Sequence, residues 1–510
     1  MIRKSIPVLL ILVLTMMLPA VCLGEETPDY DAVIDKAFAS GKLVLRETDV
    51  PGPDPETCTI IPVPGELAPE GMDFPDESQI REALKTGQLF ILAYSPDGKT
   101  AVGYVGLDSV PGQIPLIISG DQVRMIYPSL IHGAGSADSA LSTYYSRFYY
   151  KSTAKRNFNK QLGIDYQGPV WSPDGRYYFA PNYRQGFERW ESCHYIVDTQ
   201  TAELIALDAF DGQVGNENYG ILYAGCFSND GQYFYGACRS KKYAEDSPNQ
   251  IIRYDLNTFE TKKLADLENF AVSMVMLRNG EILVLDEHAA ALGNQHIYRI
   301  SPDGIVTTQP MPFHYETWRG RQIEYAPRSG WAVIWADSRL KYEFSTDFIS
   351  GIGIQPVRPD DAEPLNLESA LFIDNDTKEL IDAPVLSRFF ENSEDGDVRH
   401  LRKYNSFRFE ILAMELSPGG RYAAVLAFRP YIDRFNTETE LQLLIIRLED
   451  HAYLTAEGLD IYEKKEYPQG KGFGVYHYAS LDGNMLPVLS WTEAGLLTNC
   501  DKSQMWEIVE

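Results

Sequence analysis

Short apolar segments alternate with polar ones along most of this chain, and seven times an apolar segment runs into a glycine turn and out into a second apolar segment. Four copies are clear: YSPDGKTAVGY from Tyr94, WSPDGRYYFA from Trp171, FSNDGQYFYGA from Phe227 and LSPGGRYAAVLAF from Leu416. Three are weaker: MLRNGEILVL from Met276, YAPRSGWAVIW from Tyr325 and ASLDGNMLPVL from Ala479. In S-P-D-G the proline presets φ for the first corner of a turn. The aspartate bonds its own backbone, and the glycine takes the positive φ that closes the reversal. Flanking runs such as Tyr177-Tyr178-Phe179 have the aromatic composition of half-buried strands. Each copy therefore predicts a β-hairpin.

The turn glycines are Gly98, Gly175, Gly231, Gly280, Gly330, Gly420 and Gly483, in steps of 77, 56, 49, 50, 90 and 63 residues. A period of about 40 to 50 residues is that of a four-stranded propeller blade, and longer steps are blades with insertions. A third strand, an Asp/Thr turn and a fourth strand follow in HYIVDTQTAELIAL from His194, IIRYDLNTFETKKL from Ile251 and LFIDNDTKELI from Leu371. An eighth S-P-D-G at Ser301 lies only 24 residues past Gly280 and reads as the turn between strands three and four of the fourth blade. The expected fold is all-β, a β-propeller of seven four-stranded blades over residues 89–510. Six or eight blades follow if the Gly330 copy is not a hairpin or the Ser301 copy is one.

These S-P-D-G hairpins resemble the TolB-like, WD-like propeller repeats over roughly residues 89–510, without the GH and WD dipeptides of true WD repeats. The resemblance implies an interaction platform, or a propeller that gates substrate for an attached serine peptidase. The second use needs a hydrolase domain, and no G-x-S-x-G nucleophile elbow occurs in the chain.

Arg3, Lys4, an apolar run from Ile6 to Leu18 and small residues up to Gly24 read as a secretory signal peptide, residues 1–24. An uncleaved anchor is the rival reading. Residues 25–88 form an N-terminal extension in which Lys42 to Arg46 and Thr57 to Val63 read as strands. Glu77 to Lys85 reads as a helix capped near Asp76. Whether this extension closes the ring is open, since the last blade reads as holding four strands of its own.

Removing residues 1–24 takes away two cations and no acid, carrying the net charge from −27 to −29. Such a charge, ordinary for an exported protein, keeps it soluble and argues against nucleic acid, whose phosphates demand a basic face. The five remaining cysteines, Cys58, Cys193, Cys226, Cys238 and Cys500, are no disulfide framework, although Cys226 and Cys238 flank one hairpin and are candidates for a bridge. No C-x-x-C or H-x-x-x-H occurs, so the reading includes no zinc site. Asp374-Asn375-Asp376 and Asp395-Gly396-Asp397 are fragments of a calcium-loop pattern, which keeps calcium as an alternative to no cofactor.

Insertions are expected near 133–163, 338–369 and 389–407. In the first, Leu141, Tyr144, Tyr145, Phe148 and Tyr149 recur at helical spacing beside Arg147, Lys151, Lys155, Arg156 and Lys160. This is a basic, aromatic island on an acidic chain: an amphipathic helix with its cations in water, or a lid or docking site for an anionic partner or glycan. A second constellation, His314, Glu316, Trp318, Arg319 and Arg321, precedes an inner strand, where propellers line their central funnel. His314 and Glu316 have the chemistry of an acid–base pair and Trp318 that of a stacking platform. Tyr183, Arg184 and Trp190 form a similar run.

The leading expectation is a secreted or cell-surface scaffold that binds a protein, peptide or glycan without turnover. The alternative is a funnel-sited enzyme such as a glycan hydrolase or lyase, and a third class is a structural spacer. A glycoside hydrolase needs two carboxylates about 5 to 10 Å apart, and 72 acidic residues nominate no pair.

Overall fold

The computed structural model describes residues 31–48, 52–63, 75–86, 89–106, 113–128, 170–179, 194–207, 222–239, 249–258, 260–269, 271–286, 296–310, 318–338, 352–357, 371–373, 380–382, 410–432, 437–450, 452–456, 489–491, 496–499 and 504–509. They form a mostly β, propeller-like array of small, mainly antiparallel sheets with two helices, Ala32–Ser40 and Glu77–Lys85. Among the described residues there are seven sheets, numbered here in chain order. Four have four strands and three have five.

The repeated turn explains the hairpins. Ser95 Oγ donates to Asp97 Oδ1 (2.6 Å) and accepts from Thr100 N (3.0 Å), while Gly98 N closes onto Ser95 O (2.8 Å). Ser172 repeats this with Asp174 and Tyr177, and Ser228 with Asp230 and Tyr233. Gly98, Gly175 and Gly231 all sit near φ +70° as such a reversal requires (70°, 69° and 68°).

The sixth turn departs from the pattern, reading Ser417-Pro418-Gly419-Gly420 with no aspartate. The missing carboxylate comes from Asp31, 388 residues away. Asp31 is fully buried and accepts from Gly419 N (3.2 Å) and Arg421 N (3.1 Å), the latter matching the Arg176 N bond to Asp174 in the second turn (3.1 Å). A Cβ at Gly419 would overlap the Asp31 carboxylate, so glycine there makes room for it. Asp35 adds an ion pair to Arg421 (2.8 Å) and takes the Tyr422 hydroxyl, and Phe38 stacks on the Tyr422 ring at 5.2 Å. The helix Ala32–Ser40 is thereby seated on the sixth sheet. It ends at Gly41 in the left-handed conformation.

From there the chain runs into Val44–Thr48, which pairs antiparallel with the C-terminal strand Gln504–Val509. The last sheet therefore joins three strands from the C-terminus, Leu489–Trp491, Leu496–Asn499 and Gln504–Val509, to one from the N-terminus. An N-terminal strand is thus part of the last sheet, and the strand expected before Gly483 lies outside the described residues. A hairpin of that sheet turns between Trp491 and Leu496, and Gly483 lies outside the described residues. Outer edges elsewhere are also covered. Thr59–Ile61 pairs parallel with Gln122–Met125 in the first sheet, and Tyr127–Pro128 pairs parallel with Glu203–Leu207 in the second. In the fifth, Leu371–Ile373 and Leu380–Asp382 are strands four and five rather than three and four. The third strand, Ile352–Val357, falls inside the expected 338–369 insertion. Ser301 does turn between strands three and four of the fourth sheet. Asp76 and Gln79 cap Glu77–Lys85 reciprocally (2.9 and 3.0 Å).

Apolar packing lies between successive sheets. Met274 and Ile282 meet Ala224 and Ile251 between the third and fourth, Ile323 and Ile334 meet Leu283 between the fourth and fifth, and Leu416 and Val425 meet Ala326 and Val333 between the fifth and sixth. Trp491 and Trp506 meet Ala424 and Leu443 between the sixth and seventh, with Ile34 and Ala37 of the first helix, and Met505 reaches Ile91 and Tyr94 of the first sheet. Each fully buried side chain of this size contributes about 1.5–3 kcal/mol. The first strands of the second to seventh sheets touch in sequence, and the seventh touches the first at Leu89–Tyr94. The turns nest in the same order: Asn229 donates to Leu277 O (2.7 Å), Arg278 N to Tyr325 Oη (3.2 Å) and Ser329 to Gly420 O (2.6 Å).

Cys226 and Cys238 are not opposite one another: Cys226 faces Tyr235 and Cys238 faces Leu222 in the register. Cys226 is a free, buried thiol whose proton is held tightly by desolvation. Among the described residues no helix is long and apolar enough to cross a membrane.

Candidate functional site

Trp318, Arg319 and Arg321 open the first strand of the fifth sheet, Trp318–Ala326, at the end opposite its turn. In the register Trp318 faces Ser338 and Arg319 faces Asp337, and a bulge between Gly320 and Gln322 leaves Arg321 outside the ladder. The same irregularity recurs in the first strands of the first, third, fourth and sixth sheets. The extra residues there are Leu92, Tyr223, Val272 and Leu412, so the fifth sheet alone among these five places a cation at this position. Bulges re-aim a strand and gather near functional sites.

His314, Glu316, Tyr183, Arg184 and Trp190 lie outside the described residues, as do the island residues Tyr144, Tyr145, Arg147, Tyr149, Lys151, Lys155 and Arg156, the calcium-loop fragments and residues 1–24. The described residues contain no group of three or more His, Cys, Asp or Glu able to hold a metal.

A neighbouring constellation was not legible in the sequence. Asp286 ends the second strand of the fourth sheet, fully buried, and His296 begins the third, ten residues on. Asp286 accepts from His296 N (2.7 Å), His296 Nδ1 (3.2 Å), Asn269 Nδ2 (2.8 Å) and the Tyr298 hydroxyl (3.3 Å). Burial holds the Asp286 carboxyl above the usual carboxylate range, and these donors pull the other way. Tyr298 is raised too, chiefly by burial and then by Asp286. A carboxylate on Nδ1 favours the tautomer with its proton there, leaving Nε2 as the acceptor. The His296 side chain keeps 24% of its surface. The arrangement orients one partly accessible imidazole for proton transfer or for accepting a ligand hydrogen bond. Asn269 precedes a first strand that packs against Trp318–Ala326, so this network and the Trp318 segment belong to adjacent sheets and share the strand-start end.

Two carboxyls stand nearer the turns. Glu324 on the fifth sheet and Glu415 on the sixth are half-buried. Glu324 Oε2 accepts from Leu416 N at 3.2 Å, across the seam between the sheets. Burial pushes Glu415 up to about 8. It also raises Glu324 well above the carboxylate range, with the charge of Glu415 adding to the effect.

No protein-family model matches the chain, and no curated protein matches it significantly. Among solved structures, hydrazine synthase from Kuenenia stuttgartiensis is 13% identical over 83% of this chain and 96% of its own, with a TM-score of 0.43. Prolyl oligopeptidase B from Galerina marginata is 10% identical over 75% of this chain and 43% of its own (TM-score 0.38). TolB from Acinetobacter baumannii is 12% identical over 76% and 72% (TM-score 0.31). Similarity at this level assigns neither activity nor ligand to the chain.

Proposed function

We propose that the seven sheets are the blades of one closed, TolB-like propeller, exported and serving as a non-catalytic scaffold. It binds a protein, peptide or glycan where the inner strands begin. Closure is supported by the sequential contact of first strands and by Val44–Thr48 completing the last sheet. Export is supported by the basic, apolar and small-residue succession in residues 1–24.

The observation that carries the binding reading is the placement of Trp318, Arg319 and the bulged Arg321 at one strand start, beside the Asn269–Asp286–His296 network. An indole offers a stacking face, and guanidinium groups offer planar donors for carboxylate, amide or sugar oxygens. At the other end of these strands the turns of the third to sixth sheets contact one another.

The experiment is a thermal-shift screen of residues 25–510 against glycan and peptide panels, repeated with the Trp318→Ala/Arg319→Ala double variant. A ligand that binds only the folded state raises the melting temperature by mass action. The expected result is a shift in the wild type that the double variant loses. An equal shift in both would remove the site from this segment. The alternative, a funnel-sited enzyme, is favoured by the carboxylate-oriented His296, and turnover of a panel ligand would establish it.

A further inference from the structure

We propose that Ser273 is a positioning residue: its hydroxyl clamps the backbone of Ile323 across the seam between the fourth and fifth sheets, and so sets the level at which the Trp318 segment stands against the Asp286–His296 network. This role deepens the binding reading above and rests on it for its purpose. Ser273 is fully buried in Ala271–Met276, the first strand of the fourth sheet. Its Oγ accepts from Ile323 N (3.0 Å) and donates to Ile323 O (3.3 Å), both backbone groups of one residue 50 positions along the chain. With the hydroxyl buried, bulk water cannot take over either bond.

The hydroxyl is particular to this sheet. Four residues before the one that opens each turn stand Ile91, Ala224, Ser273, Gln322 and Ala413, in the first, third, fourth, fifth and sixth sheets. Of these five, the fourth alone has a hydroxyl, and it is the neighbour of the sheet whose bulge holds Arg321. What the clamp controls follows from register. Two residues back along the two strands stand Ala271, whose ladder partner is Asp286, and Arg321. The bonds from Ser273 thus bring the bulge of the fifth sheet level with the network of the fourth.

The rest of the seam holds this level less firmly. Ile323 and Ile334 meet Leu283, Leu285 and Ile297 through apolar contacts, which are non-directional. At the turn end Arg278 N donates to Tyr325 Oη (3.2 Å), a bond that reaches the fifth sheet's backbone only through the length of a tyrosine side chain. One residue of slip moves a strand by about 3.3 Å, whereas a binding constellation tolerates about 0.5 Å. On its other side the same strand is tied to the sixth sheet by Glu324, whose Oε2 accepts from Leu416 N (3.2 Å). The strand that carries the candidate site is therefore bonded to both neighbouring first strands.

The test is fluorine NMR of residues 25–510 labelled with 5-fluorotryptophan, seven indoles in all, with the Trp318 line assigned from Trp318→Phe. Ser273→Ala should split or broaden the Trp318 line and leave unchanged those of Trp491 and Trp506, which pack between the sixth and seventh sheets. Leu283→Ala opens a cavity in the same seam as Ser273 and should lower the melting temperature by more, yet keep the Trp318 line single. An unchanged Trp318 line in Ser273→Ala overturns the role. Equal disturbance by Leu283→Ala also overturns it, since the hydroxyl would then be one more packing contact. If Ser273→Ala does not fold, hydrogen exchange of the wild type decides. The Ile323 amide should exchange within about tenfold of the rate at fully buried Val333 on the adjoining strand, and much faster exchange overturns the clamp. None of these measurements uses a ligand, so a failed ligand screen would count against the binding reading alone.

Discussion

The two ends of the inner strands are built on different principles. At the turn end the same few atoms recur: a serine hydroxyl between an aspartate and a later N–H, a glycine near φ +70°, and a contact to the next turn. At the start end a bulge recurs, but the residue standing in it changes from leucine to tyrosine, valine and arginine. Repetition within the chain marks what every sheet needs in order to fold. Departure from it marks what one sheet does alone. The sixth turn refines this rule, because its lost aspartate is not a functional departure: Asp31 repairs it from the other end of the chain.

That repair gives the largest expected effect. Asp31→Ala removes a buried acceptor from two backbone N–H groups and an ion-pair partner from Arg421, at a cost of about 3 kcal/mol. It also frees the helix that leads into Val44–Thr48, the N-terminal strand of the seventh sheet. Gly419→Asp alone should also destabilise, since its Cβ would overlap the Asp31 carboxylate. The two together restore the S-P-D-G turn and should recover most of the loss, to within about 1 kcal/mol in a chemical-denaturation cycle. Additive losses would show that Asp31 is not standing in for the turn aspartate.

A smaller effect is expected where the repeat is intact. Ser172→Ala leaves Tyr177 N without its hydroxyl acceptor (2.8 Å) and Asp174 without its hydroxyl donor (2.5 Å), at about 1–2 kcal/mol by denaturation. Ligand affinity should not change. A loss of binding without a loss of stability would invert the assignment of roles to the two ends.

The turn chemistry was legible because it is local. Six consecutive residues make the turn, and spacing alone identified Ser301 as a turn inside one sheet. The site was less legible because its parts are joined across seams. Asp286 and His296 stand ten residues apart on successive strands, Glu324 meets a backbone N–H 92 residues away, and the helix Ala32–Ser40 carries no repeat signal. The substitution of glycine for aspartate at Gly419 was the one trace of Asp31 that the repeat could have given. Strand counting left open the edge that a distant segment supplies, as Val44–Thr48 does for the last sheet. It failed where the true third strand of the fifth sheet, Ile352–Val357, sat inside an apparent insertion.

His296→Gln should have the smallest effect on stability. Asp286 keeps its bonds from the residue 296 backbone, Asn269 and Tyr298, and the imidazole lost is partly accessible, so the cost should stay near 0.5–1 kcal/mol. The effect on a ligand should be much larger than this, because glutamine supplies no imidazole Nε2 acceptor in the orientation Asp286 imposes. The comparison is with Ser172→Ala, measured in parallel on the same thermal-shift and titration assays. A start-end residue that costs little stability and much affinity, against a turn residue that does the reverse, is the outcome a division of labour requires. If His296→Gln instead unfolds the protein as readily as Ser172→Ala and leaves binding intact, the Asp286 network is a loop tie like the turns. The candidate site then contracts to Trp318, Arg319 and Arg321.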